Sequence, residues 1–410
     1  PDLMAIRSSL LMCMHYTSAA SRAELFVEHE AYGKMLANSE PRFALDHDFN
    51  PARRLRLGVV SGDFCFHAMA FFALPVFEAR DHGWHLTCYS TTAKADDANQ
   101  AFRAAAHAWR DVRGLSTAQL SELIVRDRID ILIDLSGHAR NNRLPVFAAK
   151  PAPLQVAWGD YVDTRGLAAI DVLLGDSIQT PPEDDLYYTE RVVRFAPDYI
   201  CYRPPAYAPG VAAAPCLSRG HVTFGCFSEI TKIGPDAIAD WAAVLKAVPE
   251  ARFVLNNRLL MDEGRQQRFA RMFRDQGIGT DRLIFRTGGS HAAFLAQYAE
   301  VDVILDTTPY SGGLTTCEAL LMGVPVLTVP GERFCGRHAA VHLTHGGYPE
   351  GVCPDPAAMV AKAEALAGNP RALASLRASL RARFLASTVC DVPRFARTFY
   401  GTLREEWRAL

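Results

Sequence analysis

Apolar residues along this chain change their spacing twice. Across Leu3–Met14 and residues 23–36 they recur at helical intervals, so the first fifty residues read as helices. From Arg54 onward, short continuous apolar runs alternate with amphipathic stretches. Leu55–Ser61, Trp84–Ser90 and residues 129–135, 155–158 and 170–174 predict buried strands, and residues 69–79, 98–108 and Thr117–Arg126 predict helices between them. A proline-rich stretch, residues 203–209, reads as a linker, with a soft alanine segment behind it to Pro215. The alternation then resumes. Strands are predicted at 222–227, 252–255, 283–285, 303–306 and 324–329, and helices at 235–248, 264–275, 292–299, 315–322 and 337–345. Residues 356–410 read as almost wholly helical. Such alternation implies parallel sheets with helices on both faces, an α/β protein. The expected divisions are a helical segment 1–50, one lobe at 51–205, a second at 206–380 and a C-terminal helix at 381–410.

Composition narrows the class without naming a chemistry. A chain of 410 residues is too long for one core and suits two α/β domains with extensions. The net charge of −2 gives no reason to expect nucleic acid or a membrane surface as partner. No apolar run reaches the roughly 18 residues of a spanning helix, and no signal peptide is visible, so a cytoplasmic protein is expected. The chain opens Pro1-Asp2 without a methionine and reads as a fragment of a longer protein. Its ten cysteines are scattered with no Cys-x-x-Cys pair, so disulfides and a zinc site are not expected.

The segment DTTPYSGGLTTCEALLMG, residues 306–323, is the most informative. It reads as a strand end, a glycine turn and a helix N-terminus. Gly312 and Gly313 permit close backbone approach, Thr315 and Thr316 add hydroxyls, and a helix N-terminus suits a phosphate. Glu318, one turn further in, is placed to accept hydrogen bonds from ribose hydroxyls. From the residues alone, an ordinary turn capped by two threonines fits as well. Three further segments follow strand ends. VSGDFCFH (60–67) brings His67, a base, donor or phosphate partner, or a loop histidine with no ligand. FGCFSEITKIGP (224–235) brings Lys232, whose ammonium suits a departing diphosphate or plain solvent. DLSGHARNN (134–142) brings His138, Arg140 and Asn141, each weak alone.

Read together, these segments resemble the O-GlcNAc transferases and the related SPINDLY proteins. The matches are RLGVVSGDF (56–64) with His67, DLSG (134–137), PAPLQVAW (151–158), Phe227 through Lys232-Ile, Leu305-Asp-Thr307, Gly312 through Glu318, GVPV (323–326) and Pro330-Gly-Glu332. They run in the family's order over residues 50–345. The resemblance implies a GT-B fold, two Rossmann-like lobes with a cleft between them. It also implies that the N-terminal helices end a tetratricopeptide array, and that a helical tail follows. It further implies inverting, metal-independent transfer of N-acetylglucosamine from UDP-GlcNAc to Ser or Thr hydroxyls of intracellular proteins. No cofactor or metal is expected, and protein acceptors would be selected through the upstream repeats.

In the same register, His67 falls on the active-site histidine and Lys232 on the lysine facing the departing diphosphate. Gly312, Gly313, Thr315 and Thr316 fall on the phosphate turn, and Glu318 on the ribose position. His291 and Phe294 take the ribose and uracil-stacking positions, and Glu229 lies near the base. Asp127 roughly matches an acidic residue proposed in proton removal, and His138 and Tyr161 are placed on the sugar and acceptor side. Gly313 and Leu314 stand where the family often has histidine and threonine, and Phe294 replaces a stacking histidine. Glu229 replaces a common glutamine, and Asp160-Tyr-Val-Asp-Thr164 replaces Gly-Tyr-Pro-Gly-Thr. The large insertion of animal relatives is missing from the short linker. Three other readings stay open: a SPINDLY-like enzyme using GDP-fucose, a bacterial glucosyltransferase acting on asparagine, and a nucleotide-binding scaffold that has lost catalysis.

Overall fold

A computed structural model describes residues 3–37 and 43–410. Residues 1–2 and 38–42, inside the expected 1–50 segment, lie outside the described residues. The chain divides into two compact units. The first comprises residues 1–14, 19–203 and 391–410, the second residues 15–18 and 204–390.

The first unit is built on a seven-stranded parallel sheet. Its strands are β1 (Leu55–Ser61), β2 (Trp84–Ser90), β3 (Ala108–Asp111), β4 (Ile131–Asp134), β5 (Leu154–Ala157), β6 (Val172–Gly175) and β7 (Arg191–Arg194). They lie in the order β3-β2-β1-β4-β5-β6-β7. Continuous apolar runs such as Ile131-Leu-Ile form the central strands because helices cover both faces and every residue there is buried. The sequence pattern misses β3 and β7, and the predicted helix 98–108 instead spans Asp97–Ala105. Both missed strands are edge strands of four residues, partly exposed and carrying Arg110, Asp111, Arg191 and Arg194. They leave no apolar run to read.

The second unit holds a five-stranded parallel sheet of β8 (Thr223–Cys226), β9 (Arg252–Asn256), β10 (Leu283–Arg286), β11 (Val303–Leu305) and β12 (Val326–Leu327). Its order is β10-β9-β8-β11-β12. Trp241 anchors the core on one face, stacked on Phe253 at 4.9 Å, with its indole N–H donating to the Asp306 carbonyl at 2.9 Å.

Both ends of the chain belong to the first unit. A division at residue 380 falls inside the helix Pro370–Leu385, whose Arg377 is buried in the second unit, donating to the Val301 and Asp302 carbonyls. The last helix, Val392–Arg408, lies on the first sheet. Phe395, Phe399, Leu403 and Trp407 repeat every four residues, which gives it one apolar stripe. Phe399 meets Trp158 at 4.5 Å and the Tyr400 hydroxyl donates to the Val76 carbonyl at 3.1 Å. At the other end, the helix Arg22–Ala37 buries Leu25, His29, Tyr32, Gly33 and Leu36. A methyl group on Gly33 would lie 1.7 Å from the Gly166 carbonyl oxygen, so this helix sits directly on the loop after β5.

Candidate functional site

In the second unit, the residues after β8 and β11 converge on one turn. Asp306 follows β11 and has a buried carboxylate that accepts from the Gly312 amide at 2.7 Å and the Thr328 hydroxyl at 2.7 Å. This closes residues 306–312 into a fixed loop. Gly312 has no room for a side chain, since a Cβ would lie 2.9 Å from both Thr315 Oγ1 and Thr316 Oγ1. Gly313 precedes the helix Leu314–Leu321, and nothing lies within 4 Å of a Cβ there. The helix's first amides have no intrahelical acceptor and carry the partial positive charge of the axis. Thr315, half-exposed, stands 3.4 Å from the Ser228 hydroxyl. Thr316 differs from the sequence expectation. It is buried, and its hydroxyl donates to the Gly312 carbonyl at 2.8 Å. That bond shapes the turn rather than reaching a ligand.

Lys232 is delivered to the same turn by the short helix Ile230–Lys232. Its ammonium donates to the Ser311 carbonyl at 3.0 Å and sits 3.8 Å above the Tyr310 ring. Burial lowers its pKa to about 8, against the opposing pull of Asp306. The neighbouring His338, 5.7 Å from Tyr310, is held well below its ordinary value by burial and by the Lys232 charge. It stays neutral, so the lysine carries the cationic charge at this turn.

One turn into the helix, Glu318 is buried and accepts from or shares a proton with His291 Nε2 at 2.6 Å. Burial raises its carboxyl above the usual range while His291 pulls it back. The Tyr207 hydroxyl meets His291 Nδ1 at 2.8 Å. Phe294, on the short helix His291–Ala296, lies 5.6 Å from Phe227 and 5.9 Å from Tyr298. Glu229 is exposed and accepts from the Ile230 amide at 3.1 Å. The structure thus brings Lys232, Gly312, Gly313 and Thr315 around one turn, with Glu318, His291 and Phe294 following along the helix Leu314–Leu321 and its neighbour. Tyr207, Asp306, Tyr310 and Ser311 complete it and were not singled out from sequence. Asp306 and Tyr310 lay inside the quoted motif, whereas Tyr207 sits in the linker, where no local pattern marks it.

In the first unit, His67 ends the loop after β1 and precedes the helix Ala68–Glu78. Its Nδ1 lies 3.8 Å from Asp160 Oδ1, and Asp63 offers a third group in the same cluster. Burial, with the charge of Asp160 added, pushes the Asp63 carboxyl up to about 6 from 3.8. The folded state therefore holds this proton more tightly than the unfolded chain. The stability it contributes is intact below about pH 4 and is lost as the pH rises through 6. Asp63→Asn, neutral throughout, should leave the melting temperature unchanged at pH 4 and raise it by a few degrees at pH 8. An equal shift at both pH values in a thermal melt would contradict this origin.

Three expected site residues have other work. Asp127 follows the helix Thr117–Arg126 at the amino ends of the strands, the opposite end from His67. Its carboxylate accepts from Arg110 at 2.9 Å and from the Tyr89 hydroxyl at 2.8 Å, which makes it a structural ion pair rather than a base. His138 is buried, bonded to Ser8 Oγ at 2.9 Å and the Arg165 carbonyl at 3.1 Å. Tyr161 is buried with its hydroxyl 2.6 Å from His29 Nε2. The N-terminal helices cover both, so neither presents its polar group to a ligand. Arg140 and Asn141 remain exposed.

Two α/β units, one carrying a lysine and a glycine turn at a helix N-terminus, define a GT-B glycosyltransferase architecture. The sequence profile of glycosyl transferase family 41 matches residues 13–201 and 214–399, and the chain belongs to that family. It is 32% identical over 418 aligned residues to the tomato (Solanum lycopersicum) probable UDP-N-acetylglucosamine–peptide N-acetylglucosaminyltransferase SPINDLY, covering 100% of this chain. It is 28% identical to the SEC protein of Arabidopsis thaliana, over 87% of this chain. The chain spans 45% and 37% of the lengths of these two relatives. Among solved structures, a lysine-to-methionine mutant of Thermobaculum terrenum O-GlcNAc transferase superposes with a TM-score of 0.95 at 36% identity, covering 100% of this chain and 78% of that one. Sucrose-phosphate synthase of Thermosynechococcus elongatus shares the fold, with a TM-score of 0.57 at 14% identity. No helix among the described residues is long and apolar enough to cross a membrane.

Proposed function

We propose that this protein transfers N-acetylglucosamine from UDP-GlcNAc to serine or threonine hydroxyls of proteins in the cytoplasm, with inversion and without a metal. The observation that carries the reading is the Lys232 ammonium held 3.0 Å from the Ser311 carbonyl, at the turn that opens the helix Leu314–Leu321. The acceptor oxygen attacks the anomeric carbon, the bond from that carbon to the β-phosphate oxygen breaks, and a base takes the hydroxyl proton. The charge that grows on the leaving UDP would be met by Lys232, the first helix amides and Thr315. Glu318 and His291 would hold the ribose, and Phe294 would face the base. His67 is the candidate group on the acceptor side. The names of the SPINDLY and O-GlcNAc transferase relatives support the same donor and a peptide acceptor. Neither nucleic acid nor a membrane is a proposed partner, and acceptor choice would rest with an upstream tetratricopeptide region, as the family resemblance implies.

One observation favours GDP-fucose as a second reading. Glu229, two residues after Phe227, whose ring meets Phe294, offers an exposed carboxylate, an acceptor-only group that suits the adjacent N–H donors of guanine. Calorimetry with UDP and GDP in the presence of chelator separates the two. The UDP-GlcNAc reading expects UDP to bind at least tenfold more tightly, about 1.4 kcal/mol. Preference for GDP would move the assignment to fucose transfer, and binding of neither would leave a scaffold.

A further inference from the structure

The loops after β1 and β5 place behind His67 the carboxylate of Asp160, the residue that stands where the family's segment has glycine. His67 Nδ1 is buried, has no hydrogen-bond partner among the described residues, and lies 3.8 Å from Asp160 Oδ1. The side chain as a whole is 37% exposed, so the accessible part of the ring is the part away from Nδ1, which carries Nε2. Both partners stand on fixed backbone. The Asp160 amide donates to the Leu135 carbonyl at 3.2 Å, and the Ala70 amide ties back to the His67 carbonyl at 3.0 Å. A closure of about 1 Å, within reach of side-chain rotation, would turn this approach into a hydrogen bond.

We propose that Asp160 is a positioning residue for His67: its carboxylate accepts the Nδ1–H, fixes the neutral tautomer, and leaves the Nε2 lone pair outward for an acceptor hydroxyl. Carboxylate, imidazole and hydroxyl then stand in the order that activates a weak nucleophile. The proton leaves the acceptor oxygen for Nε2 as that oxygen bonds to the anomeric carbon, and Asp160 stabilises the imidazolium that forms. This role rests on the transferase reading. Asp63 shares the cluster with His67 and Asp160, and Asp96 and Lys94 act on the same loop at Cys65 and Asp63. Asp96 is engaged, since it accepts from the Phe66 amide at 2.9 Å. Lys94 acts on Asp63, partly offsetting the burial that favours its proton. Asp63 is the rival orienter. Its carboxyl also bonds to Ser136, whereas Asp160 makes the close approach to Nδ1, at 3.8 Å.

The test reads the ring directly. In protein labelled with ¹⁵N-histidine, with His67 assigned from the His67→Gln spectrum, the wild-type neutral ring is expected to carry its proton on Nδ1. In Asp160→Ala it should move to Nε2, the form commoner in water. The kcat should fall roughly 10–100-fold with donor KM unchanged, and Asp160→Glu should restore part of both signals. The same tautomer in wild type and Asp160→Ala overturns the proposal. So does a tautomer change seen in Asp63→Ala and not in Asp160→Ala. A changed tautomer with unchanged kcat overturns the role in the reaction. The spectrum needs no substrate, so it stands or falls separately from the donor assignment.

Discussion

On the proposed transferase reading, Lys232→Ala should lower kcat by about 10²–10³ while changing UDP affinity by less than about tenfold, because its ammonium would answer charge that is largest in the transition state. The geometry explains the imbalance. The lysine is already bonded to the Ser311 carbonyl and seated over Tyr310 before any ligand arrives, so it needs no reorganisation when the diphosphate begins to leave. Its pKa of about 8 adds a second signature. The charged form is lost as the pH rises through 8 in the free enzyme, so kcat/KM should decline on that alkaline side. A bound diphosphate favours the charged form, so the corresponding decline in kcat should lie at higher pH. Burial works against the folded ammonium, so loss of the charge by itself should not destabilise the second unit, and a thermal melt can verify that the lost rate is not lost fold. Near-normal turnover in Lys232→Ala would sink the role. A fall in UDP affinity that matches the fall in rate would show ground-state binding instead.

The sequence carried the architecture and the donor-side turn further than it carried the first unit's site. Buried parallel strands are continuous apolar runs, so β1, β2 and β4 could be read directly, and a glycine pair before a helix marks a turn that only close approach requires. The edge strands β3 and β7 escaped because their outer faces are charged. Asp127, His138 and Tyr161 share one difficulty: residue type announces chemistry, but burial is decided by distant segments. Asp127 is claimed by Arg110 and Tyr89, and His138 and Tyr161 are claimed by Ser8 and His29 of the N-terminal helices. Thr316 shows the same limit at short range, since its hydroxyl turns back to Gly312 instead of outward. Tyr207 is the converse case, a linker residue with no helical or strand period around it that folding brings to His291.

Arg165→Ala should cost the first unit about 3–5 kcal/mol of stability, the penalty of leaving a buried charge without its partner. Arg165 and Asp134 are both about 1% exposed and meet through Nε and Oδ2 at 2.8 Å. Asp134 also accepts from the Gly137 amide at 2.9 Å, so its carboxylate holds the loop after β4 in place. Removing the guanidinium leaves that charge with amide donors alone. The Arg165 backbone is separately fixed, its amide donating to Glu190 at 2.7 Å and its carbonyl meeting His138, so the loss should be local to the ion pair. Asp134→Asn keeps an acceptor for the Gly137 amide and removes the orphaned charge. The double variant Arg165→Ala, Asp134→Asn should therefore recover a substantial part of the stability lost in Arg165→Ala. Urea unfolding of the two single variants and the double variant measures the coupling as a double-mutant cycle. A coupling below about 0.5 kcal/mol would mean that water already reaches the pair and that the first unit's loops are held by their backbone bonds alone.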